Sequence, residues 1–62
     1  MDIKVINSIL ESLLASDLGI KAALEKDASH WRELDQARIR IQEARHWLIE
    51  AKGALLESQR GG

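Results

Sequence analysis

Three cations lie seven residues apart in the C-terminal half of the chain, at Arg38, Arg45 and Lys52. On a helix this spacing places them along one line of the surface. An ion pair within a helix needs an acid three or four residues away. Arg38 has Asp35 at that distance, whereas Arg45 and Lys52 have no acid there. The last two cations need a partner from elsewhere, and a bound phosphate would suit, because Arg contacts phosphate with two donors and Lys as a point charge.

A neighbouring helix offers the alternative partner. Glu43, Glu50 and Glu57 also repeat every seven residues, so an antiparallel second copy would bring this acidic line to the basic one. The cations would then form structural salt bridges. Trp47 adds a ring that can stack on a nucleobase or wall a pocket. The candidate ligand-binding residues are therefore Arg38, Arg45, Lys52 and Trp47.

Other chemistries have little support in the sequence. There is no cysteine, and His46 has only Glu43 and Glu50 within a turn, which is a poor basis for a metal site. No serine or histidine lies in a nucleophile motif, and Gly19 and Gly53 are isolated rather than part of a phosphate loop. We therefore expect no enzyme activity, no metal and no cofactor.

The helix that must position these residues carries a seven-residue repeat from Leu34 to Ser58. One position of the repeat is large and the other is small. A 3-4 spacing over more than three heptads is typical of a helix packed on another helix, and alanine allows a close approach. We expect an interface between subunits formed by Leu34, Ala37, Ile41, Ala44, Leu48, Ala51 and Leu55, with Ser58 as the last small position.

The rest of the chain predicts an all-α fold with one helical domain, residues 1–62. A short N-terminal helix is expected from an Asp2 cap to about Ala15, with a break at 17–20. Residues 20–26 suit either a second short helix or a continuation of the first. A turn follows at 26–29, with Asp27 or Ser29 as the cap of a long helix that runs from about residue 28 to 59. A chain of 62 residues buries little core alone, so we expect a helical homo-oligomer.

Bulk properties exclude several classes of partner. The net charge is -1 with acids and bases interspersed, which disfavours a DNA-binding regulator. No apolar run approaches the roughly 20 residues that span a bilayer, and no signal-peptide pattern is seen at the N-terminus. The expected location is the cytoplasm, and the expected protein partner is the chain itself.

The run WRELDQARIRIQEARHWLIEAKGAL, residues 31–55, resembles the C-terminal helix of the small phage anti-CBASS proteins. The resemblance is carried by the Arg32-Glu33-Leu34 opening, Ala37, Ile41-Gln42-Glu43-Ala44, Trp47-Leu48 and Ala51. It implies a compact helical homo-oligomer that holds a cyclic nucleotide between subunits without cleaving it, in the host cytoplasm if the protein is phage-encoded. The leading hypothesis is thus a non-enzymatic sponge for a phosphate-bearing immune signal. The alternative is a helical interaction or scaffold module, natural or designed, with no small-molecule ligand.

Overall fold

Two helices joined by a four-residue connection make up the chain in the computed structural model, which describes residues 2–61. Helix α1 spans Ile3–Lys26 and helix α2 spans Trp31–Gly61. The short connection makes them antiparallel neighbours, and the resulting hairpin measures 51 × 16 × 13 Å. The predicted all-helical fold is confirmed. Within residues 2–61, no helix has an apolar stretch long enough to cross a membrane.

The N-terminus of α1 follows the sequence prediction. The Oδ1 atom of Asp2 accepts a hydrogen bond from the Val5 backbone N–H at 2.9 Å, which satisfies one of the amides that a helix start leaves free. The predicted end of this helix near Ala15 is wrong, as is the break at 17–20. The helix continues for 24 residues, to Lys26.

Asp17 and Gly19 explain why the break was expected and why it does not occur. Asp17 does not cap a helix; its carboxylate accepts a hydrogen bond from Arg38 of α2. Gly19 has no positive φ and stays helical. The cost of a helical glycine, about 1 kcal/mol relative to Ala, is small compared with the stabilisation that a long helix gains from packing on another helix. Residues 16–26 therefore extend α1 rather than forming a separate helix.

The turn predicted at 26–29 is confirmed, but its capping differs from the prediction. Asp27 is the C-cap of α1, and its N–H donates to the Ala23 carbonyl oxygen at 2.9 Å. Its Oδ1 atom accepts bonds from the backbone N–H and the hydroxyl of Ser29. These bonds lower the pKa of Asp27, the hydroxyl contributing most. Because the Asp27 carboxylate and the Ser29 hydroxyl bond to each other in this turn, neither caps α2. Helix α2 begins at Trp31, three residues later than expected.

The contact between the helices follows a 3-4 spacing on both sides. On α1, every position of this seam is buried or half-buried. The seam residues of α1 are Ile3, Ile6, Leu10, Leu13, Asp17, Ile20 and Leu24. Ile6 is the most enclosed, at 1% exposure. Two helices cannot enclose more, and eight large apolar side chains are exposed in the described chain.

Candidate anion-binding site

The basic line lies at the contact between the two helices. Arg38, Arg45 and Lys52 are each half-buried, and α1 is the other element present to cover them. By contrast, the Arg40 side chain is 71% exposed and pairs with Glu43 at 3.1 Å on the outer surface. The heptad spacing therefore places the three cations in one environment, beside Ile41 and Leu48 rather than in open solvent.

Asp17 is the partner of Arg38. The Arg38 Nε atom donates to Asp17 Oδ1 at 3.0 Å, and the two side chains are 33% and 8% exposed. Asp17 occupies a seam position of α1 between Leu13 and Ile20, where an apolar residue would be usual. The predicted local partner, Asp35, acts on Arg38 only through its charge.

The pairing fixes the charge state of the carboxylate. The hydrogen bond from Arg38 is the main cause that holds the pKa of Asp17 below its ordinary value of 3.8, and burial opposes it. The Gln42 amide and the Arg45 charge act in the same direction as Arg38. The pKa of Arg38 is raised in return, mainly by the same bond. Asp17 is therefore ionised at neutral pH, and it neutralises one of the nearby cations.

Arg45 lacks such a partner. Its Nη1 atom donates to the Gln42 Oε1 atom at 3.3 Å, a long bond to a neutral acceptor. Its Nε atom is buried and has no hydrogen-bond partner among residues 2–61. A buried donor without an acceptor is unfavourable, and natural proteins rarely leave one. Arg45 thus presents a guanidinium to which an anion would bring both charge and acceptor atoms.

Lys52 extends the excess of positive charge. It is half-buried, and neither ion pair found in the described part of the chain includes it. Of the three cations, Arg38 alone forms an ion pair among residues 2–61, and its partner is Asp17. The structure brings Arg38 and Arg45 together with Asp17 and Gln42, and it places Lys52 two turns beyond Arg45 on the same line.

Trp47 lies elsewhere on the helix. It is two residues from Arg45, which on an α-helix is about 200° of rotation. Its side chain is 69% exposed, and its ring meets the His46 ring edge-on with centroids 5.3 Å apart. The Trp47 ring therefore does not wall the basic line of its own chain.

The described residues enclose no pocket, and no group of three His, Asp or Glu side chains gathers there as a metal site. Comparison with family models, curated proteins and solved structures found no match to the chain.

The predicted interface residues divide into two groups. The large positions are half-buried, and α1 of the same chain covers them. These are Leu34, Ile41, Leu48 and Leu55. The small positions lie at the margin of the hairpin, where Ala37 and Ala44 are half-buried while Ala51 and Ser58 are exposed. The large positions therefore have a partner within the hairpin, and the small ones are accessible to a second copy.

Two members of the cluster, Asp17 and Gln42, were not among the predicted site residues. A signal for Asp17 exists in the sequence, since it continues the 3-4 spacing of Leu10 and Leu13 to Ile20. The interpretation of Asp17 as a helix break concealed that pattern. Gln42 offers no comparable signal, because its role depends on which way the Arg45 side chain turns.

Proposed function

We propose that this chain is a non-enzymatic sponge that sequesters a cyclic nucleotide or a related phosphate-bearing signal between the subunits of a homo-oligomer. It would act in the cytoplasm, that of the host if the protein is phage-encoded. The resemblance of residues 31–55 to the phage anti-CBASS proteins supports this class of ligand. The observation that carries the proposal is Arg45, whose buried Nε atom has no acceptor in the described chain.

A phosphate would meet the needs of the basic line. Its oxygens would accept from Arg45 and bring negative charge to a set of three cations of which only Arg38 forms an ion pair among residues 2–61. Arg38, already bonded to Asp17, would contribute its remaining donors, and Lys52 would contribute a point charge. Trp47 of a neighbouring subunit would stack on the base or close the pocket.

Capture of this kind needs no catalysis. A sponge removes a signal in proportion to its own abundance, so its effect depends on affinity and slow release rather than turnover. The absence of a nucleophile motif and of a phosphate-binding loop in the sequence is consistent with this mechanism.

The second candidate is a self-associating interaction module with no small-molecule ligand. It is favoured by the exposure of several large apolar side chains. Among them, Leu18 is 55% exposed, Ile49 is 53% exposed and Trp47 is 69% exposed. Exposed apolar surface marks a protein–protein contact where it forms a patch. In this case the excess cations would pair with carboxylates of a second copy, such as Glu50 or Glu57.

Arg45→Gln, with Arg40→Gln as its matched control, separates the two candidates. Both changes remove one guanidinium from α2, but Arg40 lies outside the basic line and pairs with exposed Glu43. Native mass spectrometry of each protein is recorded alone and with a panel of cyclic di- and trinucleotides. We expect the wild type and Arg40→Gln to bind a nucleotide as defined oligomers. Arg45→Gln should bind at least tenfold more weakly, as the same oligomer.

Three results would count against this proposal. A wild-type oligomer that ignores the whole panel would favour the interaction module. Dissociation of the oligomer by Arg45→Gln would give this cation a structural role between subunits. Equal binding by all three proteins would remove Arg45 from the site.

A further inference from the structure

We infer that a second copy of this chain docks on one particular edge of the hairpin, the small-residue edge. This edge is formed on α1 by Val5, Ile9, Ser12, Ser16, Gly19 and Ala23, and on α2 by Ala37, Ala44, Ala51 and Ser58. The inference concerns one subunit contact of the homo-oligomer in the proposed function, and this contact lies on the side of α2 opposite to Gln42 and the basic line. It is tested without any ligand, so the two proposals can fail separately.

The α1 part of the edge is a second heptad stripe. Its members follow a 4-3 spacing from Val5 to Ala23, beside the seam that faces α2. None of them is ionisable, although 31% of the chain is charged. All except half-buried Ile9 are exposed in the hairpin. An uncharged stripe across 19 helical residues is unusual on a solvent-facing surface and suits a packed one.

The alanines of α2 join this stripe on the same side of the hairpin. The alanines lie on one side of the large α2 positions that contact α1, and Gln42 lies on the other side. On α1, the stripe lies on one side of the seam and Leu14 lies on the other. For antiparallel helices with 100° between residues, these two sides coincide. Trp47 stands one turn from Ala44 and from Ala51. It is the most exposed large apolar side chain and a typical anchor for an interface.

Gly19 leaves room for another helix to approach the edge. Glycine in a helix interior costs about 1 kcal/mol relative to Ala. Nothing in the hairpin requires it, because φ is not positive and a Cβ atom would meet no atom within 4 Å. Because glycine has no side chain, another backbone can approach closely at this position. The nearby Ser16 hydroxyl already donates to the Ser12 carbonyl oxygen at 3.0 Å, so its burial leaves no donor unsatisfied.

The area that a second copy would cover is of the right size. The chain exposes 4869 Å². A monomeric globular protein of 7.0 kDa is expected to expose about 4,000 Å². The excess is close to the ~800 Å² that each partner buries in a standard interface. The same stripes on two copies can satisfy each other through a two-fold axis, whereas a different protein would need a matching uncharged groove.

Gly19→Leu, with Gly53→Leu as its matched control, tests this placement. Both glycines are interior to a helix with open space around them, and both changes raise helix propensity. They differ in position, because Gly53 lies on the outer side of α2, away from the edge. Sedimentation equilibrium of the ligand-free proteins gives the assembly state, and circular dichroism verifies helicity. We expect Gly19→Leu to weaken self-association at least tenfold and Gly53→Leu to leave it unchanged.

A second pair guards against misfolding of the leucine variant. Ser12→Glu places a charge on the edge, and Leu18→Glu places the same charge on the side of α1 away from the edge, both at exposed positions. The inference requires Ser12→Glu to dissociate the oligomer and Leu18→Glu to spare it. It is overturned if the wild type is a monomer, if both edge variants assemble normally, or if the controls are equally disruptive. If the edge variants still form the oligomer and bind a nucleotide, the proposed function stands and this edge is rejected as the subunit contact.

Discussion

Asp17 and Arg38, 21 residues apart in sequence, form an ion pair across the hairpin, with Arg38 Nε 3.0 Å from Asp17 Oδ1. The pair lies within a seam that is otherwise built from Ile and Leu on the α1 side. A polar residue at one seam position disfavours the registers that would leave it unpaired. The pair therefore ties the middle of α1 to the turn of α2 that carries Arg38.

The first prediction concerns the coupling between these two side chains. In a double-mutant cycle of Asp17→Asn and Arg38→Gln, we expect each single change to lower the free energy of unfolding. The double change should cost less than the sum of the two, because neither partner is left alone. Urea denaturation at a fixed protein concentration measures all four stabilities.

The matched control for this cycle is the exposed pair Arg40 and Glu43, studied with Arg40→Gln and Glu43→Gln. Exposed pairs one turn apart typically couple by about 0.3–0.5 kcal/mol. The cycle at Asp17 and Arg38 should give the larger coupling, since their carboxylate is shielded from solvent. Equal values would contradict the assignment of a shielded seam pair.

The second prediction is a loss of stability in acid. Because the folded-state pKa of Asp17 lies below 3.8, the ionised carboxylate stabilises the fold above that value. This contribution is lost as the pH falls below about 4 and through the folded-state pKa. Thermal denaturation between neutral pH and pH 2 should show a steeper loss for the wild type than for Asp17→Asn.

Asp27 contributes to the loss of stability in acid in the same direction, because the hydrogen bonds from Ser29 lower its pKa. Asp27→Asn serves as the control that separates the two carboxylates. If the wild type and Asp17→Asn lose stability in parallel, Asp17 is not the source of the pH dependence.

The third prediction concerns the centre of the apolar contact. Ile6 is 1% exposed and Ile39 is 42% exposed. We expect Ile6→Ala to reduce the free energy of unfolding by about 2–5 kcal/mol, enough to unfold much of so small a protein. Ile39→Ala should cost about 1 kcal/mol or less, because Ile39 is more exposed and loses less packing. The change in helix propensity is the same at both positions, so it does not contribute to the difference. Chemical denaturation compares them, and a larger cost at Ile39 would contradict this core.

The fourth prediction is a gain in stability at Gly53. This residue is helical, and a Cβ atom there would meet nothing within 4 Å. Gly53→Ala should therefore raise the free energy of unfolding by about 0.5–1 kcal/mol. Gly61→Ala is the control, because space is equally open at the last residue of α2, where helix ends fray. Thermal melts should show a clear rise for Gly53→Ala alone.

The sequence by itself determined the helical fold, the Asp2 cap and the turn at 26–29. These features depend on local rules: heptad spacing, capping chemistry and turn-forming residues, all within a few positions along the chain. The sequence also indicated that Arg45 and Lys52 have no ion-pair partner in their own helix, because such a partner would lie three or four positions away along the chain.

Only the tertiary structure decided how α1 ends, what Arg38 pairs with and where Trp47 points relative to the basic line. Asp17 and Gly19 resemble a break when judged alone, and they stay helical because α2 supplies a guanidinium to one of them. Likewise, the large seam positions of α2 meet α1 of the same chain, since a four-residue connection brings the helices together first. Those outcomes depend on residues far apart in sequence, whose proximity no local pattern encodes.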